Sequence, residues 1–226
     1  MHRLSFEQWY GNWATVVVYV VLSVGFTLGF LRPRRRYEWR NAGIASAFFI
    51  ALFTEMFGLP LTLYLLAPAL GLPPKAFGFF ESHLWGFLLA RVGLFSVAQA
   101  AALMMVLANL LIWPGIYVVI GGWRAIYRSD GGLVTTGIYG RMRHPQYLGI
   151  LLVATGFLVM WPTLPTLIMW PILIIMYARL AGEEETRLAT QYGETYLAYR
   201  DRVPSFIPVI RPAESQTREG AAGAQG

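Results

Sequence analysis

The chain has 226 residues, no cysteine and a formal net charge of +6, with 56% hydrophobic and only 13% charged residues. Soluble domains carry about 25% charged residues, and a chain with 15% aromatic residues does not stay disordered in water. Without cysteine there is no disulfide scaffold, thiolate metal site or cysteine nucleophile. What remains is an all-α integral membrane protein small enough to be one bundle. The basic residues sit beside apolar runs, which points to topology and anionic lipid headgroups rather than to nucleic acid.

Met1 to Asn12 lacks the basic start, apolar core and small-residue cleavage site of a signal peptide. Trp13 to Leu31 is nearly unbroken apolar sequence and at 1.5 Å per residue reaches about 28 Å, enough for a bilayer core. A second run, Ala42 to Leu72, exceeds one span, and Pro60 divides or kinks it. Gly71 to Glu81 reads as an interfacial loop. The apolar region Leu84 to Trp123 lacks a polar turn near its middle, so one long span over about Phe95 to Ile120 is expected. Leu84 to Leu94 is then interfacial. Tyr147 to Trp161 and Pro165 to Ala178 form a short helical hairpin around the turn signal Trp161-Pro162-Thr163-Leu164-Pro165. Gly182 to Arg202 is amphipathic, with Gly193 breaking it into two short helices and Pro204 ending the second. Pro212 to Gly226 reads as a disordered tail.

This gives about five transmembrane helices, a C-terminal hairpin and cytoplasmic amphipathic helices. The charges agree, because alternating spans place 15 of the 18 Lys and Arg on one side. The positive-inside rule makes that side cytoplasmic, with the N-terminus outside. Trp9, Trp13, Trp85 and Trp161 fall at one interface and Trp39 and Trp123 at the other. The expected division is 1–123 for the N-terminal helices, 124–208 for a ligand-binding region and 209–226 for the tail.

Two polar clusters flank the hairpin. The first runs Gly137-Ile138-Tyr139-Gly140-Arg141-Met142-Arg143-His144-Pro145-Gln146-Tyr147-Leu148-Gly149. The second holds Glu183-Glu184-Glu185-Thr186-Arg187-Leu188 and continues through Tyr192-Gly193-Glu194-Thr195-Tyr196 to Arg200. A hairpin returns the chain to its starting side, so the clusters are expected to meet beside hydrocarbon. Each residue has a plainer reading. Pro145 suits the first turn of a helix, the arginines suit topology anchors, and the glutamates suit a helix N-terminus.

The pattern Gly-Ile-Tyr-Gly-x-x-Arg-His-Pro-x-Tyr-x-Gly at 137–149 is similar to a signature of the isoprenylcysteine carboxyl methyltransferase family. Glu184-Glu185-x-x-Leu188, Tyr192-Gly193-Glu194-x-Tyr196 and Val203-Pro204-x-x-Ile207-Pro208 resemble its second half. The wider group includes phospholipid N-methyltransferases and small-thiol methyltransferases. The resemblance covers Leu133 to Pro208 and implies a membrane methyltransferase that uses S-adenosylmethionine. It places His144, Pro145, Tyr147 and Gly149 along the cofactor pocket, with Glu184 and Glu185 as the acidic pair. Glu183 leaves a one-residue ambiguity. Tyr139, Arg143 and Tyr196 are further pocket candidates.

The chemistry fits that implication. Carboxylates can accept hydrogen bonds from ribose hydroxyls or the ammonium, and Arg or His can hold the carboxylate. Tyrosine faces can flank the adenine or the cation. Methyl transfer needs alignment and a dry pocket. The acceptor decides whether a base is required, and His144 and the acids could serve; Arg143 and His144 are catalytic candidates. Glu55 is a third, because an intramembrane carboxylate is costly and functional by default. The alternative is a carboxylate satisfied by Thr54, Asn109 or Arg91. Asn109 and Gln99 are expected to bond between helices, and His83 to be interfacial. The acceptor is read as hydrophobic or lipid-like: an isoprenylcysteine carboxylate, a phospholipid amine or a small thiol. An NADPH-dependent sterol-type reductase and a non-catalytic carrier are the competing classes. The three histidines have no metal-ligand spacing.

Overall fold

The structure is a computed structural model and describes residues 11–28, 36–69, 84–129 and 132–208. The 71–81 loop, His83 and the 212–226 tail lie outside the described residues. Among the described residues there are helices and no strand. In chain order they are α1 (Trp13–Phe26), α2 (Arg36–Phe53), α3 (Leu61–Ala69), α4 (Leu84–Arg91), α5 (Val97–Arg128), α6 (Pro145–Met160), α7 (Leu164–Tyr192) and α8 (Glu194–Arg202). A π-helical turn, Thr54–Gly58, extends α2, and a 3-10 turn, Gly137–Gly140, precedes α6.

Helix starts follow local chemistry. Asn12 caps α1 by accepting from the Thr15 amide at 3.3 Å. Ser96 and Gln99 form a reciprocal capping box on α5, and Thr163 and Thr166 form one on α7. Pro145 occupies the first turn of α6, where its missing N–H costs nothing. Gly193 ends α7 at φ +53°, a left-handed conformation that favours glycine, and α8 starts immediately after it.

Among the described residues two helices, α5 and α7, are long and apolar enough to cross a membrane. The region from residue 97 to 128 is one continuous helix, running past the expected end at Ile120 and through the 123/124 boundary. The terminal hairpin is α6 and α7 joined at Trp161–Thr163. One expectation needs correction: the polar stretch after Arg179 is not a separate helix. Helix α7 continues through Gly182 and the glutamates to Tyr192. A single internal glycine costs only about 1 kcal/mol, and no capping residue interrupts the backbone ladder there.

Helices α5 and α6 cross with their backbones in contact, and glycine makes this possible. A Cβ on Gly149 would lie 2.6 Å from Val119 Cγ2 and 2.7 Å from the Gly115 carbonyl oxygen. One on Gly156 would lie 2.5 Å from Ile112 Cγ1 and 2.9 Å from the Ala108 carbonyl. Small residues at a crossing are how membrane helices gain close van der Waals contact. Around this pair a core of Ala45, Phe48, Val119, Ile150, Ala154, Leu173, Tyr177 and Leu180 joins α2, α5, α6 and α7. A second cluster, Leu52, Phe53, Met56 and Trp161, packs the hairpin tip against the end of α2.

Asn109 and Gln99 do not bond between helices. Asn109 bonds within α5, donating to the Met105 carbonyl and accepting from Trp113 Nε1. Gln99 spends its side chain on the α5 cap. Both polar groups are satisfied by their own helix, which removes any need for a partner across the bundle.

Candidate functional site

The site assembles at the hairpin's open end. The start of α6 meets the polar half of α7 there, and the stretch after α8 returns to cover both. Two backbone bonds fix that return: the Arg143 amide donates to the Pro204 carbonyl at 2.9 Å and the His144 amide to the Ser205 carbonyl at 3.0 Å. Tyr196, Tyr199 and Val203 pack with Leu133, Leu188, Ala189 and Tyr192 into a small core beneath α8. The Tyr199 hydroxyl donates to the Tyr139 carbonyl at 2.7 Å and ties α8 to the 3-10 turn.

Glu185 is the hub. Its Oε1 accepts from Arg143 Nε at 3.1 Å, Arg143 Nη2 at 2.9 Å and the Ser205 hydroxyl at 3.0 Å. His144 Nε2 lies 2.9 Å from the same oxygen. Glu184, one residue earlier, faces the other side of the histidine. Its Oε2 accepts from the Tyr147 hydroxyl at 2.9 Å and stands 3.7 Å from His144 Nδ1. His144 is buried, with its ring stacked on Tyr147 at 5.5 Å and against Phe206 at 5.6 Å. Glu184 is the more open acid: its side chain is 37% exposed against 19% for Glu185.

Burial alone would raise both carboxyls. Around Glu184 the His144 hydrogen bond and charge, the Tyr147 hydroxyl and Arg187 outweigh it and hold the group below the usual range. Around Glu185, His144, Ser205 and Arg143 do the same. Both acids are therefore ionised at neutral pH. Burial, with Glu185 nearby, pushes the Tyr196 phenol up to about 12. Burial, with Glu184 nearby, likewise raises Tyr139. Both phenols stay neutral hydrogen-bonding groups.

The structure brings His144, Pro145, Tyr147, Glu184 and Glu185 together, with Tyr139 and Tyr196 buried beside them. It separates three expected roles from that group. Arg143 does not offer its guanidinium to a ligand. A guanidinium has five N–H donors. Here they go to the carbonyls of Arg200 and Val203, to Glu185 twice and to Ser205. Gly149 faces α5, where its missing side chain serves the helix crossing. Glu55 lies at the other end of the hairpin. Its Oε2 accepts from the Thr62 amide at 3.1 Å, and the Thr62 hydroxyl accepts from the Leu164 amide at 2.8 Å. Thr54, Asn109 and Arg91 are not what Glu55 bonds to. The length of α6, about 24 Å at 1.5 Å per residue, separates that end from His144.

Ser205 and Phe206 escaped the sequence reading. Their signal was present in the Val-Pro-x-x-Ile-Pro segment, but nothing in the residue types reveals that it folds back onto His144. An apolar cavity of about 360 Å³ lies between α1, α2, α5 and α6, and Val119 and Ile150 of its wall belong to the core cluster against which Tyr147 packs. Its walls include Tyr19, Phe49, Phe53, Val119, Ile150 and Phe157. Among the described residues no group of three or more His, Cys, Asp or Glu could hold a metal ion.

Residues 96–195 match the family described as phospholipid methyltransferase. The chain is 36% identical over 83 residues to a protein-S-isoprenylcysteine O-methyltransferase of Schizosaccharomyces pombe, covering 36% of this chain and 35% of that one. It is 33% identical over 85 residues to protein-S-isoprenylcysteine O-methyltransferase A of Arabidopsis thaliana, covering 37% and 43%. With the enzyme of that name from Homo sapiens it shares 35% over 80 residues, covering 35% and 28%. The matches thus span less than half the length of these relatives. No solved structure matches the chain. The segment matched by the family model contains the Arg-His-Pro turn, the whole hairpin and the acidic pair.

Proposed function

We propose that the protein is an integral membrane methyltransferase that uses S-adenosylmethionine and acts on a hydrophobic acceptor, best represented by an isoprenylcysteine carboxylate. The observation that carries this reading is the sharing of His144 between Glu184 and Glu185, with Tyr147 stacked on it and packed against the apolar core. The family match favours methyl transfer over the reductase and carrier alternatives.

The residues present fit the cofactor. Glu184 is ionised and partly open, so it can accept hydrogen bonds from an ammonium or from ribose hydroxyls. Tyr147 and Phe206 offer aromatic faces, and the Tyr196 hydroxyl is buried without a hydrogen-bond partner. When bound, S-adenosylmethionine supplies an electrophilic methyl group. The chain's part is to orient and to exclude water: Arg143 and Glu185 lock residues 200–205 over the turn, and His144 fixes the tilt of both acids. A carboxylate acceptor arrives ionised and needs no base. Glu184, His144, Tyr147, Tyr139 and Tyr196 are assigned to cofactor binding, and Arg143 and Pro145 to shaping the site, while Gly149 serves the crossing of α5 and α6.

The same reading places five spans in the bilayer, with the His144 end cytoplasmic, because 15 of the 18 basic residues gather on that side. Calorimetric titration of the detergent-purified protein tests the cofactor. Saturable S-adenosylmethionine binding without NADPH binding is expected, followed by labelled-methyl transfer to a farnesylcysteine acceptor. NADPH binding alone overturns the proposal.

A further inference from the structure

The apolar cavity opens sideways. Two of its wall residues, Leu22 of α1 and Ile120 of α5, are exposed, at 60% and 41%. Its mouth therefore lies between α1 and α5, on the surface that a membrane-spanning bundle turns to hydrocarbon. The other end is closed. Tyr19 stacks on Phe53 at 4.1 Å and Phe157 meets Phe53 edge-on at 5.9 Å. All three line the cavity and belong to the packing at the hairpin tip. Helix α1 packs chiefly on α2 and the π-helical turn. The space between α1 and the α5–α6 pair is left for another molecule, because an unfilled void forfeits the dispersion contacts of its wall.

The wall describes a hydrocarbon. Its hydroxyls satisfy themselves, since Thr27 bonds to Ser46 and to the Ser23 carbonyl. A cavity of about 150 Å³ takes one benzene. On that scale a volume of about 360 Å³ holds roughly fourteen carbons, one chain rather than two.

A charged group has its place above the mouth. Ile120, Arg124 and Arg128 follow at four-residue spacing along one face of α5, and both arginines are exposed. Arg124 lies about 6 Å beyond Ile120 along the helix axis, toward the end that carries His144. Among the described residues neither arginine has an ion-pair partner. Guanidinium forks match phosphate oxygens. This face turns away from the acidic cluster. Gly122, about 160° around the helix from Ile120 and Arg124, is the residue that is buried against Pro145 and Gln146.

We propose that the cavity holds one acyl chain of a diacyl phospholipid, taken sideways from the leaflet on the His144 side, with its phosphate on Arg124 and Arg128. The chain seats α1 against α5 and α6, and the second chain stays in the bilayer. The headgroup sits on the outer face of α5, away from His144, so this lipid is a bound part of the fold and not a methyl acceptor. The site depends on the membrane-spanning bundle and not on methyl transfer.

The test titrates palmitoyl-oleoyl phosphatidylglycerol into the delipidated protein in detergent and counts bound lipid by native mass spectrometry. Wild type is expected to retain one lipid per chain, and retention of none overturns the proposal. Ser23→Phe fills the cavity from α1, where Ser23 is one of the lining residues, and is expected to lower retention at least tenfold. Unchanged retention in a Ser23→Phe protein that melts like wild type overturns the proposal. Should that variant fail to fold, the exposed pair decides. Arg124→Gln with Arg128→Gln is expected to weaken phosphatidylglycerol binding about tenfold or more, the worth of hydrogen bonds between charged groups. Binding of uncharged dioleoylglycerol and of S-adenosylmethionine is expected to stay unchanged in the same variant. Unchanged phosphatidylglycerol binding there overturns the phosphate contact, and a fall in S-adenosylmethionine affinity overturns the separation from His144. Displacement of the lipid by N-acetyl-S-farnesylcysteine also overturns the proposal, by giving the cavity to the methyl acceptor.

Discussion

Arg143 and Glu185 are 42 residues apart in sequence and meet through two N–H donors on one carboxylate oxygen, at 3.1 and 2.9 Å. The other three donors of Arg143 hold residues 200, 203 and 205. The arginine is therefore the clamp that joins the two ends of the hairpin to the C-terminal segment.

Replacing Arg143 with lysine keeps the charge and loses the fork. Leaving a buried acceptor without its donor costs about 1–3 kcal/mol, and the two side chains here are 11% and 19% exposed. Arg143→Lys is expected to lower the melting temperature markedly and weaken cofactor binding as a consequence. Thermal unfolding in detergent measures the first, and calorimetry the second. An unchanged melting temperature contradicts the clamp.

The two glutamates should separate by phenotype. Glu184→Gln leaves the clamp intact, so S-adenosylmethionine affinity is expected to fall about ten- to a hundredfold with little loss of stability. Glu185→Gln is expected to cost stability first, because four donors converge on its Oε1. Identical profiles for the two variants would show that the acids do not divide the work.

Acid should loosen the same region. Both carboxyls are held below their usual range in the folded protein. Their stabilising contribution is present above the ordinary carboxylate value and is lost as pH falls through the folded value. Melting temperatures are expected to hold from neutral pH down to the ordinary carboxylate value of about 4.3, to decline below it, and to decline less in a Glu185→Gln background. A flat profile contradicts the assignment.

Gly149→Ala tests the helix crossing. The added methyl would meet a backbone carbonyl at 2.7 Å, which cannot rotate away. Overpacking of this kind costs about 1–3 kcal/mol, and the melting temperature should fall accordingly. Glu55→Gln is the counterpart at the far end. It is expected to leave cofactor affinity unchanged, since Glu55 bonds to Thr62 near the hairpin tip. A change in that affinity would place Glu55 in the site after all.

Much of this architecture could be read from residue types alone. Pro145 at a helix start, the Trp161–Pro165 turn and the break at Gly193 are local signals, and each appears where it was expected. The convergence of His144 with Glu184 and Glu185 followed from the hairpin's geometry. What could not be read was which atoms pair. Arg143 spends two donors on backbone carbonyls, which every residue carries, so no residue type announces the bond. Gly149 and Tyr147 lie two residues apart on one helix, and only the observed packing shows that Gly149 is committed to α5. The polar stretch from Gly182 read as a separate short helix because its residue types change there, and nothing in the chain reveals that α7 continues unbroken to Tyr192.

The return of residues 203–206 over Arg143 and His144 also sets an order of events in biosynthesis. Every apolar helix described here is made before Val203 is. The hairpin can therefore enter the bilayer while His144 still lacks its cover from Ser205 and Phe206. The cluster around His144 is completed only when residues 203–206 leave the ribosome and fold back. A chain that stalled before residue 203 would carry every described apolar helix but lack the backbone bonds that close over Arg143 and His144.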